Sequence, residues 1–156
     1  PLESYKLDKN GTIATTFSFN DGSFDGERKV YNPRGFVKDK ETNARWGMQF
    51  IWPIKADYQI VYLDEDYSRV IIAREKRDLV WLMAREPNIP DEEYQTLLGR
   101  IIAMGYDAAD LRLAPQQLVC GDDGDVGGAR RGGPAVELLH NPLVGALALA
   151  ALPNAR

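Results

Sequence analysis

The sequence predicts an all-β fold, an antiparallel sheet followed by one amphipathic helix. Three observations carry this: apolar residues alternate with period two from Tyr5 to Arg85, turn residues separate these runs at hairpin spacing, and the period lengthens after Pro90. With 156 residues the chain can bury one compact core and is too short for two ordinary domains.

The first run, Tyr5 to Asp8, leads through Asp8-Lys9-Asn10-Gly11 into a second, Thr12 to Asn20. Asn-Gly between two apolar runs is a strong hairpin signal, so these strands are expected to pair. In the second run Ile13, Thr15, Phe17 and Phe19 share one face, and a face that bulky needs a cover. Asp21-Gly22-Ser23 turns the chain into a third run near Glu27 to Tyr31. Asn32-Pro33-Arg34-Gly35 and Lys38 to Glu41 then read as an exposed connection.

From Arg45 to Trp52 the even positions Trp46, Met48, Phe50 and Trp52 are bulky and apolar, which predicts a strand with one aromatic face. Tyr58 to Leu63, Val70 to Arg74 and Leu79 to Ala84 follow as three more strands with short connections. Pro87-Asn88-Ile89-Pro90 stops the last of them. Asp91-Glu92-Glu93 sets acids in a helical first turn, and Tyr94, Leu97, Leu98, Ile101 and Ile102 recur at three- and four-residue spacing up to Gly105. The helix is expected over about 91–104, with Leu111 to Leu113 a last short strand. Residues 1–117 then form the domain, and the Gly-, Ala-, Asp- and Arg-rich stretch 118–156 reads as a low-complexity tail expected to lack ordered structure.

A net charge of −4 with interspersed signs argues against nucleic acid. One cysteine, Cys120, and one histidine, His140, predict no intrachain disulfide and no metal site. Both lie in the tail without a triad partner nearby, which argues against an enzyme, and no cofactor is expected. Asp64, Glu65 and Asp66 read as a solvated turn. The N-terminal residues carry no secretion signal, and the longest apolar stretch, Leu143 to Leu152, is too short to span a membrane.

Three segments point to a known family. Tyr58-Gln59-Ile60-Val61-Tyr62-Leu63-Asp64-Glu65-Asp66-Tyr67 resembles the second lipocalin motif, with an Asp and a Tyr in the turn between two strands. Leu79-Val80-Trp81-Leu82-Met83-Ala84-Arg85 resembles the third motif, ending on its Arg, and Ala84-Arg85-Glu86-Pro87 with the following helix is similar to the bacterial outer-membrane lipoprotein branch. The resemblance covers roughly Tyr5 to Gln117 and implies an up-and-down barrel. The first motif, Gly-x-Trp, has no counterpart, so the barrel is expected to lack its first strand and to leave two sheet edges open.

The resemblance also implies a cavity that carries a fatty acid or lysophospholipid in the service of membrane maintenance. By strand parity its lining is expected to be Phe17, Phe19, Trp46, Met48, Phe50, Tyr58, Ile60, Tyr62, Trp81 and Met83, while Asp64, Tyr67 and Arg85 are structural at the closed end. Periplasm or outer membrane, peripheral membrane association and a homodimer through the open edges complete the expectation. The alternative is an interaction module that recruits a protein through those edges or through the apolar tail, with no ligand cavity.

Overall fold

The computed structural model describes residues 1–114, so the expectations for 118–156, with Cys120 and His140, lie outside the described residues. Eight strands run in order: β1 (Leu2–Leu7), β2 (Thr12–Asn20), β3 (Arg28–Tyr31), β4 (Arg34–Val37), β5 (Arg45–Ile51), β6 (Ile54–Leu63), β7 (Arg69–Ala73) and β8 (Val80–Ala84), with α1 at Asp91–Ala103. All pairings are antiparallel, and the sheet order is β1-β2-β4-β5-β6-β7-β8 with β3 also on β2.

The β1–β2 hairpin closes as Asn10-Gly11 requires. Gly11 takes a positive φ of 79° and donates to the Asp8 carbonyl at 3.0 Å, and the resulting register sets Tyr5 opposite Thr15 and Glu3 opposite Phe17. The segment after Tyr31 differs from expectation, because Arg34–Val37 forms a strand where a connection was expected from Asn32 onward. Both β3 and β4 pair with β2 in one continuous register, Phe17 with Tyr31 and Ala14 with Arg34. They are one strand interrupted at Asn32-Pro33, where proline has no N–H to give the ladder.

Two other boundaries move. The strand expected to run to Trp52 ends at Ile51, which pairs with Ile54 across a cis Trp52-Pro53 turn, so β6 begins at Ile54 and not at Tyr58. Leu113 makes only an isolated bridge, and a 3-10 turn at Ala108–Asp110 precedes it in place of a full strand.

Helix α1 follows the sequence closely. Asp91, Glu92 and Glu93 occupy its first turn and Gly105 ends it at φ 94°. Its apolar stripe, Leu97 and Ile101, packs on Ile71, Ala73, Val80, Leu82 and Ala84, together with Ile89 and Tyr106. Arg69, buried at 6% exposure, sets its Nε 3.0 Å from Glu93 Oε1 and donates from Nη1 to the Ser68 carbonyl, tying the helix start to β7. On the same face the Arg100 guanidinium lies 4.8 Å from the centre of the Tyr62 ring. Ile101 is fully buried here while Ile102 is 46% exposed. Ile101→Ala is therefore expected to cost about 3 kcal/mol in chemical denaturation, and Ile102→Ala less than about 1 kcal/mol.

Candidate functional site

Strands β7 and β8 bury both faces. Ile71, Ala73, Leu82 and Ala84 point at the helix, and the alternate residues Val70, Ile72, Trp81 and Met83 point the other way, joining Met48, Tyr58, Trp46, Ile60 and Tyr5 in a second cluster. This second face is concave. Neighbouring strands lie about 4.8 Å apart, so β1 and β6, four positions apart in the sheet order, would stand about 19 Å apart if the sheet were flat. Instead the Tyr5 and Tyr58 hydroxyls are hydrogen-bonded, and the Tyr5 ring centre lies 5.9 Å from that of Trp46 on β5.

Aromatic side chains cover the concave face in two groups. Trp46 and Tyr58, cross-strand partners on β5 and β6, stack at 5.6 Å, and Trp81 on β8 extends the stack at 6.3 Å from Tyr58. Phe17 and Phe19 on β2 and Tyr31 on β3 form the other, with ring centres 5.4 to 6.4 Å apart. Gly35 makes room for the first group, since a Cβ there would sit 3.1 Å from the Ile13 Cβ and 3.4 Å from the Trp46 ring. Thr15, buried between Ile13 and Phe17, donates to Met48 Sδ at 3.9 Å.

One chain of polar groups crosses this apolar surface. The Tyr5 hydroxyl hydrogen-bonds both the Glu3 carboxyl and the Tyr58 hydroxyl. Burial pushes the Glu3 carboxyl up to about 7, against the opposing effect of the Tyr5 hydrogen bond. Burial likewise raises both tyrosines well above their ordinary range, with the Glu3 charge adding to it.

Of the residues expected to line a cavity, Trp46, Met48, Tyr58, Ile60, Trp81 and Met83 share the concave cluster, and Phe17 and Phe19 form the second aromatic group. Tyr62 does not join them, because it packs with the helix-side cluster. The β6–β7 register shifts between Ile60 and Tyr62, which a β-bulge at Val61 explains, and one extra residue sends every later side chain to the opposite face. Phe50 is 57% exposed beside a second irregularity, between Met48 and Ile51. Asp64 accepts from Arg69 N at 2.8 Å and from Ser68 Oγ at 2.7 Å, Tyr67 turns the chain at φ 60°, and the Arg85 N–H bonds the Ser68 carbonyl, so all three sit at one turn. Glu3, Tyr5 and Tyr31 were not anticipated. The hairpin register from Asn10-Gly11 would have put Glu3 and Tyr5 on the face of Phe17 and Thr15. Among the described residues no group of His, Cys, Asp and Glu is arranged to hold a metal.

The raised Glu3 carboxyl has a consequence for stability. A carboxyl that titrates near 7 folded and at 4.5 unfolded stabilises the fold least when ionised, so stability falls as pH rises from about 4.5 through about 7. Glu3→Gln removes that loss. Its melting temperature is expected to match the parent near pH 4.5 and to exceed it above pH 7, by an amount corresponding to about 1 to 2 kcal/mol after allowance for solvent screening.

A family model for a lipocalin-like domain matches residues 2–116. Temperature-induced lipocalin-1 of Arabidopsis thaliana is 27% identical over 121 residues, covering 72% of this chain and 63% of its own length. Outer membrane lipoprotein Blc of Escherichia coli K12 is 29% identical over 108 residues, covering 62% of this chain and 61% of its own, and Blc of Citrobacter freundii is 26% identical over 116 residues, 67% and 64%. The chain thus spans about three fifths of the length of the curated relatives it matches. Curled antiparallel strands, a helix on the outer face and a match across nearly all the described residues agree: the chain belongs to the lipocalin family, in the branch that holds the bacterial Blc proteins.

Proposed function

We propose that the chain binds and carries a single-chain lipid, a fatty acid or lysophospholipid, on its concave face. The observation that supports this best is the division of the sheet. The helix covers one face, while the other gathers Trp46, Tyr58, Trp81, Phe17 and Phe19 on its concave side. Burying a methylene contributes about 0.8 kcal/mol, so about ten yield roughly 8 kcal/mol before ordering costs, which suits micromolar binding. The site works by binding, with no reaction assigned. The names of the Blc relatives as outer membrane lipoproteins favour the cell envelope as its place of work.

Loading from a bilayer fits the tip of the β5–β6 hairpin, where Phe50, Ile51, Trp52 and Ile54 are all exposed, Trp52 at 83%. Such a wedge of apolar side chains beside Lys55 suits an interface with anionic lipid. A second reading, recruitment of a protein or a second copy, rests on β1, which among the described residues pairs on one side only.

Uptake of a fluorescent fatty acid tests the proposal. Trp46→Ala and Trp81→Ala, once shown to fold, are expected to weaken it about tenfold or more, while Arg45→Ala, on the opposite face and half exposed, leaves it unchanged. Equal effects at all three positions would refute the concave face as the site. Concentration-dependent mass without uptake would favour the second reading. Sedimentation with vesicles containing phosphatidylglycerol is expected to fall several-fold in Trp52→Asp, with lipid uptake from solution retained.

A further inference from the structure

Polar groups are scarce on the concave face, and three of them, Glu3, Tyr5 and Tyr58, interact with one another. Glu3 and Tyr5 reach it from β1 and Tyr58 from β6. Opposite them β2 offers Thr15 and Phe17, and β5, β7 and β8 offer Trp46, Met48, Ile72, Trp81 and Met83, none of them charged. By register Lys29 of β3 falls on this side opposite Phe19, and it is ion-paired with Glu27. The acid thus meets tyrosines, with no basic side chain among the groups that act on it.

Counting hydrogens decides what such a chain can hold. A tyrosine hydroxyl has one hydrogen to donate, and an ionised carboxylate only accepts. With Glu3 ionised, Tyr5 donates to the carboxylate and Tyr58 donates to the Tyr5 oxygen. Both hydrogens then point inward, and the outer end of the chain, the Tyr58 oxygen, presents lone pairs alone. An arriving anion meets acceptors and a like charge in an apolar setting, where repulsion is weakly screened. A hydroxyl or an ammonium meets an acceptor and, in the second case, an opposite charge.

Resting on the proposal that the concave face binds a lipid, and narrowing it, we propose that Glu3, Tyr5 and Tyr58 form its headgroup site, which above neutrality takes a single-chain amphiphile ending in a hydroxyl or a primary amine, such as an amine-headed lysophospholipid, in preference to an ionised fatty acid. Protonating Glu3 adds one hydrogen, taken from solvent. The chain can then reverse, with Glu3 donating to Tyr5, Tyr5 to Tyr58, and the Tyr58 hydrogen turned toward the ligand. The preference therefore relaxes in acid, and the raised Glu3 carboxyl sets the change near neutrality.

Dodecylamine, dodecanol and dodecanoate share one chain and differ only in the head, and their Kd values on the intact protein can be read by competition at about pH 5.5 and about pH 8.5. At the higher pH dodecanoate is expected to bind at least about tenfold more weakly than dodecanol, with the amine at least as tight as the alcohol. At the lower pH the dodecanoate gap closes to within about threefold, and Glu3→Gln closes it at both. Should Glu3→Gln fail to fold, Tyr58→Phe serves, since it removes the outer oxygen and is expected to weaken the amine and alcohol while sparing dodecanoate. Dodecanoate binding as tightly as dodecanol at the higher pH, or a gap that persists in the variants, would overturn the proposal. If none of the three binds, the lipid-binding reading of the concave face fails first and the headgroup site falls with it.

Discussion

Strands β7 and β8 carry large apolar side chains on both sides, and such strands hold only if each side is covered. Ile71 and Leu82 find their cover in α1, through Leu97 and Ile101. Ile72, Trp81 and Met83 find theirs because the sheet curls until β1 faces β6. The curl is therefore the second half of the core. Everything assigned to the concave face follows from it: the aromatic stack on Trp46 and Tyr58, the small residue at Gly35, and the meeting of Tyr5 with Tyr58.

The strands themselves were legible because alternation is a local property. Trp46 and Met48 on β5 and Trp81 and Met83 on β8 lie on the concave side by the same parity that their sequence displays. The helix was legible for a similar reason, through acids at its start, Gly105 at its end and a regular stripe between. Parity was blind wherever the count slipped. Tyr62 lies beyond an irregularity at Val61, and Phe50 lies beside another, so the alternation that placed their neighbours misplaced them. Arg34–Val37 was hidden by Pro33, a residue that ordinarily ends a strand, although β2 carries the register straight past it.

The polar chain belongs to a different order of information. Glu3 and Tyr58 are far apart in sequence and on strands that do not pair, and nothing local to either announces the other. Their meeting depends on how strongly four intervening strand spacings bend, which is set by twist summed over the whole sheet. What sequence could show was one half of it: the Asn10-Gly11 turn fixes which residues of β1 share a face with Phe17.

The irregularity at Val61 makes β6 two half-strands with opposite allegiance. Up to Ile60 its even-numbered side chains, Tyr58 and Ile60, face the concave side, whereas Tyr62 faces the helix, where the ring meets Arg100. One residue thus acts as a phase reset, much as a half-step in a gear train reverses which teeth engage. Insertion or deletion at this point is not equivalent to the same change in a loop: losing Val61 would leave Tyr62 directly after Ile60 and still opposite Ile71, so that plain alternation would hold its ring on the helix side, against Arg100. A barrel strand without the extra residue would set the same side chains on the same faces with one residue fewer, so that inward positions beyond Ile60 fall on opposite sequence parity in the two cases.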